Sequence, residues 1–148
     1  MNALVPIAVC LPLVSAAFLV AILSRIGRRA TEIFAIVCSF ATLALCATVL
    51  RDAFVHGTAV LWFGDWHPGN TVGLGIAFVV DPAAAAVATF VATIVTAAVI
   101  FSRGYFDEAG TIFYALLFAM LGAMIAFAYA ADAFDLFVFY EVFSVAAY

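Results

Sequence analysis

Four long apolar runs separated by short polar breaks make up most of the chain, and a shorter fifth run closes it. The first, residues 3–24, is almost uninterrupted apolar sequence. At about 1.5 Å per residue it makes enough helix to cross about 30 Å of hydrocarbon. Arg25, Arg28 and Arg29 follow this run, whereas a signal peptide carries its positive charge in front. Pro6 and Pro12 predict a kink or a late helix start, which neighbouring helices tolerate in a membrane. Thr31 is the predicted N-cap of a second helix over residues 32–50. Asp81-Pro82 reads as a cap followed by proline in the first turn, where its missing N–H has no consequence. A third helix then follows over residues 82–101. Thr111 is the predicted cap of a fourth over residues 112–131. The last run, residues 136–148, comes after a turn bracketed by Asp132 and Asp135. As helix it covers about 20 Å, short of a full span.

The segment from residue 51 to 75 differs in kind. It holds both tryptophans, both histidines, five of the nine glycines and Pro68. Its centre, Trp62 to Asn70, is turn chemistry flanked by interfacial aromatics, and predicts a hairpin-like loop at the membrane surface. Asp65 and His67 lie in that loop, where turn formation is a simpler role for them than ligation. Gly75 to Val80 reads as a short extended stretch. Thr89, Thr93 and Thr96 share one face of the third helix; bonding back to their own helix is a simpler use for them than lining a polar path. Met120, Gly122 and Met124 suit close, adaptable helix packing.

Composition converts these runs into membrane spans. The chain of 148 residues is 70% hydrophobic and 9% charged, with a mean hydropathy of +1.31. Soluble domains are typically about 45–50% apolar and about 25% charged. The reading is therefore an all-α integral membrane fold with the lipid bilayer as solvent: four complete transmembrane helices, a partial fifth, and a structured outer loop between helices two and three. Five arginines, no lysine and no basic run leave nucleic-acid binding without an electrostatic footing. Cys10, Cys38 and Cys46 lie inside apolar runs, where a thiol is most simply a small hydrophobe. The sequence holds no cysteine-rich cluster motif, phosphate loop, dinucleotide fingerprint or nucleophile–base pairing, so neither a cofactor nor a catalytic site of its own is expected. Arg25, Arg28, Arg29 and Arg103 share one set of turns and Arg51 alone the other. By the positive-inside rule the N-terminus is expected outside a multi-pass cell membrane protein.

Glu141 is the candidate for chemistry. It follows Asp135 by six residues, roughly 9 Å along a helix, and so lies within the hydrocarbon zone. A carboxyl there costs on the order of 2.5–3.5 kcal/mol on insertion scales and by default marks a proton or ion site. Ser144 and Tyr148, at i+3 and i+7, share its face and could hydrogen-bond the carboxyl or a water. Asp132 and Asp135 sit shallower and read as solvated turn and cap residues, with Asp135 at most in a supporting role.

The stretch Ala131-Asp-Ala-Phe-Asp-Leu-Phe-Val-Phe-Tyr-Glu-Val-Phe-Ser-Val-Ala-Ala-Tyr148 resembles the fifth-helix signature of the proton-conducting antiporter-like subunits, found in respiratory complex I and in multisubunit Na⁺/H⁺ antiporters. The form D-x-F-x-L-F-V-F-x-E-x-x-x-x-A-x-Y looks most like the D-type member of those antiporters. The outer loop ending in Val79-Val-Asp-Pro82 and the arginine turn after the first helix add to the resemblance. It implies that Glu141 is the acid of a proton path. It also implies partnership with other membrane subunits, and protons, with Na⁺ in an antiporter, as the species moved. Family members have about fourteen helices and pair this glutamate with a lysine two helices later. This chain has no lysine, so residues 1–148 are expected to form one transmembrane domain corresponding to the amino-terminal part of such a module. The rival expectation is a non-conducting accessory or assembly subunit, in which Glu141 serves helix packing or docking.

Overall fold

The computed structural model describes residues 3–22, 27–63, 75–105 and 110–148, with the backbone alone at 104 and 105. Among these, the elements in chain order are α1 (Leu4–Ala21), α2 (Arg28–His56), β1 (Ala59–Trp62), β2 (Ala77–Val80), α3 (Pro82–Tyr105), α4 (Thr111–Tyr129) and α5 (Ala133–Ala147). Helices α1 to α4 are each long and apolar enough to cross a membrane. Helix α5, with 15 residues, reaches about 22 Å and does not.

Lipid tails are as apolar as leucine, so these helices associate through close fit and hydrogen bonds rather than through expulsion of water. Helix α4 takes the centre, packed against α1, α3 and α5, while α2 lies along α1 and α3. The buried residues of α2 and α3 are mostly small: Ala35, Cys38, Ser39, Thr42 and Cys46 on one, Ala85, Ala88 and Ala92 on the other. They bring the backbones close enough for the Thr96 hydroxyl to reach the Ser39 carbonyl at 3.3 Å. Thr89, Thr93 and Thr96 each donate to the carbonyl four residues earlier at 2.7–2.8 Å, the packing role expected of that stripe. Gly122 does the same service between α4 and α1. Met120 and Met124, partly buried on α4, border two apolar clefts of about 330 and 280 Å³ beside α5.

The two ends of the bundle differ in chemistry. At one end Glu32, on the first turns of α2, meets Arg28 at 2.6 Å and Arg103 of α3 at 3.6 Å. The hydroxyls of Thr31 and Thr111 approach to 3.5 Å beside them. The starts of α2 and α4 and the end of α3 therefore share one end of the bundle, which carries Arg28, Arg29 and Arg103. The opposite end carries the hairpin and the start of α5.

Several expected boundaries move. Thr31 does not cap α2: Gly27, at φ +118°, precedes the helix, and the Thr31 hydroxyl turns back to the Gly27 carbonyl from inside it. Helix α2 also runs past residue 50 to His56, because Arg51 and Asp52 can stand above the hydrocarbon while Ala53 stays buried. Gly57, at φ +77°, ends it in a conformation that other residues adopt at a cost. Thr111 begins α4 but makes no capping bond; its N-cap position is Gly110. Pro12 lies inside α1, and the helix starts at Leu4 rather than late. The Asp81 cap is as expected: its Oδ1 accepts the Ala84 N–H at 2.6 Å. β2 realises the extended stretch, paired antiparallel with β1 in the register Ala59↔Val80 to Trp62↔Ala77. The tip of this hairpin, with Asp65 and His67, lies outside the described residues.

Candidate functional site

Helix α5 begins where two aspartates meet the hairpin. Asp132 is extended (φ −135°, ψ 166°), and its Oδ1 accepts the Asp135 N–H at 2.8 Å. Its carbonyl accepts the Leu136 N–H at 3.1 Å. An aspartate capping the third residue after it is a helix-start signal, so α5 begins at Ala133, three residues earlier than the predicted 136.

Asp135 departs from expectation. It is only 5% exposed, not a solvated turn residue. The register explains why. Ala77 faces Trp62 in the hairpin, while the neighbouring Phe63 N–H bonds the Ile76 carbonyl. Alternate residues of an antiparallel pair point their polar groups away from the partner strand, so those of Ala77 turn towards α5. A buried peptide group without a partner is expensive. The Asp135 Oδ2 accepts the Ala77 N–H at 3.1 Å, and the Ala77 carbonyl accepts the Ala131 N–H at 3.1 Å. The adjacent Phe78 bridges Ala130 in antiparallel fashion. Its ring, 1% exposed, lies 5.1 Å from Phe63, 6.2 Å from Tyr129 and 5.9 Å from Phe139. Hairpin, α4 and α5 are thus joined by two hydrogen bonds and an aromatic cluster.

Glu141 stands on a different face. Six residues at 3.6 per turn rotate it about 120° from Asp135. While Asp135 points into the junction, Glu141 is exposed on the outside of α5, flanked by exposed Phe137, Val138 and Val145. Among the described residues it has no ion pair and no hydrogen bond. Ser144 is half-buried and Tyr148 exposed, and neither hydroxyl bonds the carboxyl. Phe143, on the inward side, stacks edge-on with Phe127 of α4 at 5.6 Å. Among the described residues no group of three His, Cys, Asp or Glu could hold a metal ion.

The cap role of Asp132 was legible in the sequence, although the start of α5 at Ala133 was placed three residues late. The Asp135–Ala77 bond, made between residues 58 positions apart, left no signal there.

Comparison with known proteins agrees with this arrangement. No family model matches the chain. Over its whole length the chain is 29% identical to the NADH-quinone oxidoreductase subunit N of Desulforudis audaxviator (strain MP104C). It spans 30% of the length of that relative. Its fold matches a chain of the membrane-bound sulfane sulfur reductase (MBS), an archaeal respiratory membrane complex, with a TM-score of 0.86. The two are 21% identical, and the match covers 97% of this chain and 29% of that one.

Proposed function

We propose that this chain, an antiporter-like membrane subunit of the complex I family by sequence likeness and fold, works as a component of a proton-translocating membrane complex, with Glu141 as its proton-transfer residue. The observation that carries the reading is Glu141 itself: a carboxyl that no described residue pairs, on an outward helix face flanked by Phe137, Val138 and Val145. Lipid is a poor neighbour for that face, so a further membrane helix or subunit covers it and brings a basic or hydrogen-bonding group to the carboxyl. The related protein is a subunit of an NADH-quinone oxidoreductase and the structural neighbour part of a respiratory complex, which favours other membrane subunits as partners. The proton step is coupled to redox chemistry elsewhere in such a complex, or to exchange with a cation such as Na⁺. Ser144 and Tyr148 share the Glu141 face and supply hydroxyls to the same path.

The reading is tested by isolating the chain through an affinity tag with and without its membrane partners. Gently solubilised, it should bring further membrane subunits with it, and the reconstituted assembly should move protons in response to a gradient. Stripped of them, it should leave a proton gradient intact, because no described residue answers Glu141. Flux from the bare chain above that of empty vesicles would overturn the reading. A copurified assembly in which no basic side chain crosslinks to a probe at Glu141 would favour the accessory-subunit alternative.

The arginine-rich end, with Arg28, Arg29 and Arg103, is proposed to face the cytoplasm, and the hairpin end the outside. In a background with the three native cysteines replaced, Thr58→Cys should react with an impermeant thiol reagent added outside intact cells, and Gly110→Cys only after permeabilisation. Gly110 has open space around it and a negative φ, so it accepts the side chain without strain. Labelling of both from the same side would refute the topology.

A further inference from the structure

We propose that Asp135 is a positioning residue for Glu141: by clasping the Ala77 N–H of β2, it makes the hairpin fix the rotation of α5 and so the direction in which Glu141 points. The inference rests on the reading of Glu141 as a proton site, and extends it from the residue to the device that aims it.

Three observations carry it. Capping of α5 is already supplied by Asp132, so the Asp135 carboxylate is free for the bond it makes across the fold. That bond is buried, and it joins two elements otherwise tied at this point by the Ala77 carbonyl and the Phe78 cluster. Finally, α5 is the shortest helix and packs mainly on α4, leaving Glu141 on its free side. A helix held along one line can still roll about its axis, and a roll moves a side chain at its surface most. A second attachment, on a face about 120° from Glu141, removes that freedom. Among the described residues, the charged and titratable groups near Asp135 are Asp132 on its own turn and Tyr129 across the Phe78 ring, since β2 and α4 carry no charged residue.

The test uses the full assembly, with hydrogen exchange of the 75–80 segment and the pH profile of proton transport measured together. Asp135→Ala should speed exchange in the segment by about tenfold. It should also move the midpoint of the transport profile by about half a pH unit or more, because the surroundings of Glu141 change. Asp135→Asn keeps an oxygen where the Ala77 N–H needs one, and should preserve both properties. Ala77→Pro removes the donor from the other side, at an N–H that β1 does not use, and should reproduce Asp135→Ala. The double variant should be no worse than either alone. If Asp135→Ala does not accumulate in the membrane, Ala77→Pro carries the comparison. An unmoved midpoint in a variant with a loosened hairpin would reduce Asp135 to a structural anchor and overturn the proposal. So would an Asp135→Asn as damaging as Asp135→Ala, since charge and not acceptance would then matter. Failure of the underlying reading would look different: Glu141→Gln would transport normally, whatever the exchange of the hairpin.

Discussion

Glu141→Gln is expected to lower gradient-driven proton transport by about a hundredfold or more, the range in which loss of an acid–base group falls, while the chain stays in its complex. The amide has the shape of the carboxyl and cannot titrate. Nothing among the described residues bonds the side chain, so the substitution leaves the helix bundle untouched. On the proposed reading a basic group of a partner approaches and withdraws from this acid, and the amide has no proton to exchange with it. Glu141→Asp keeps the acid but withdraws it by one methylene, and should retain partial transport. Asp132→Asn is the control: asparagine caps a helix about as well as aspartate, so transport should change little. Transport and subunit content must be measured on the same membranes. Normal transport by Glu141→Gln would end the proton-site reading. Loss of the protein from the complex would instead make Glu141 a docking residue.

The second large effect is expected at Gly122. A Cβ there would lie 2.6 Å from Leu13 Cγ, 2.8 Å from its Cδ2 and 3.3 Å from its backbone nitrogen. The side chain can swing aside, but the backbone of α1 cannot without parting the helices. Overpacking of this kind costs about 1–3 kcal/mol. Gly122→Ala should therefore lower the thermal midpoint in detergent clearly, and Gly122→Leu should prevent stable assembly of α1 on α4. Leu13→Ala in the Gly122→Ala background should recover part of the loss, by freeing the space the new methyl needs. If Gly122→Ala melts with the parent protein, the close approach of α1 and α4 is not what the glycine provides.

The membrane fold and the number of spanning helices were legible in the apolar runs of the sequence, and so was the one acid that stands inside such a run. Each depends on a quantity that lipid enforces locally. A run such as residues 82–101 has no soluble alternative, and a carboxyl in the middle of an apolar helix stands out against its own neighbours. The Asp81 cap and the extended stretch before it were legible for the same reason, since both are contained within a few residues. Helix ends were legible only where the backbone demanded one residue type. Gly27 and Gly57, both at positive φ, mark the ends of α2 better than the threonine and arginine that looked like boundaries. The tertiary structure alone decided the roles of the two aspartates. Asp132 and Asp135 are three residues apart, equally acidic and equally close to the interface in sequence. One faces water as a cap, and the other is buried because the register of β2 turns an unpaired Ala77 N–H towards it. No local pattern encodes that meeting, because it depends on how α4 and α5 set the angle of a strand lying more than fifty residues earlier in the chain. The same holds for Glu32 between two arginines, and for the outward face of Glu141: which side of a helix is buried is set by its neighbours, and in lipid an apolar residue is equally at home on either side.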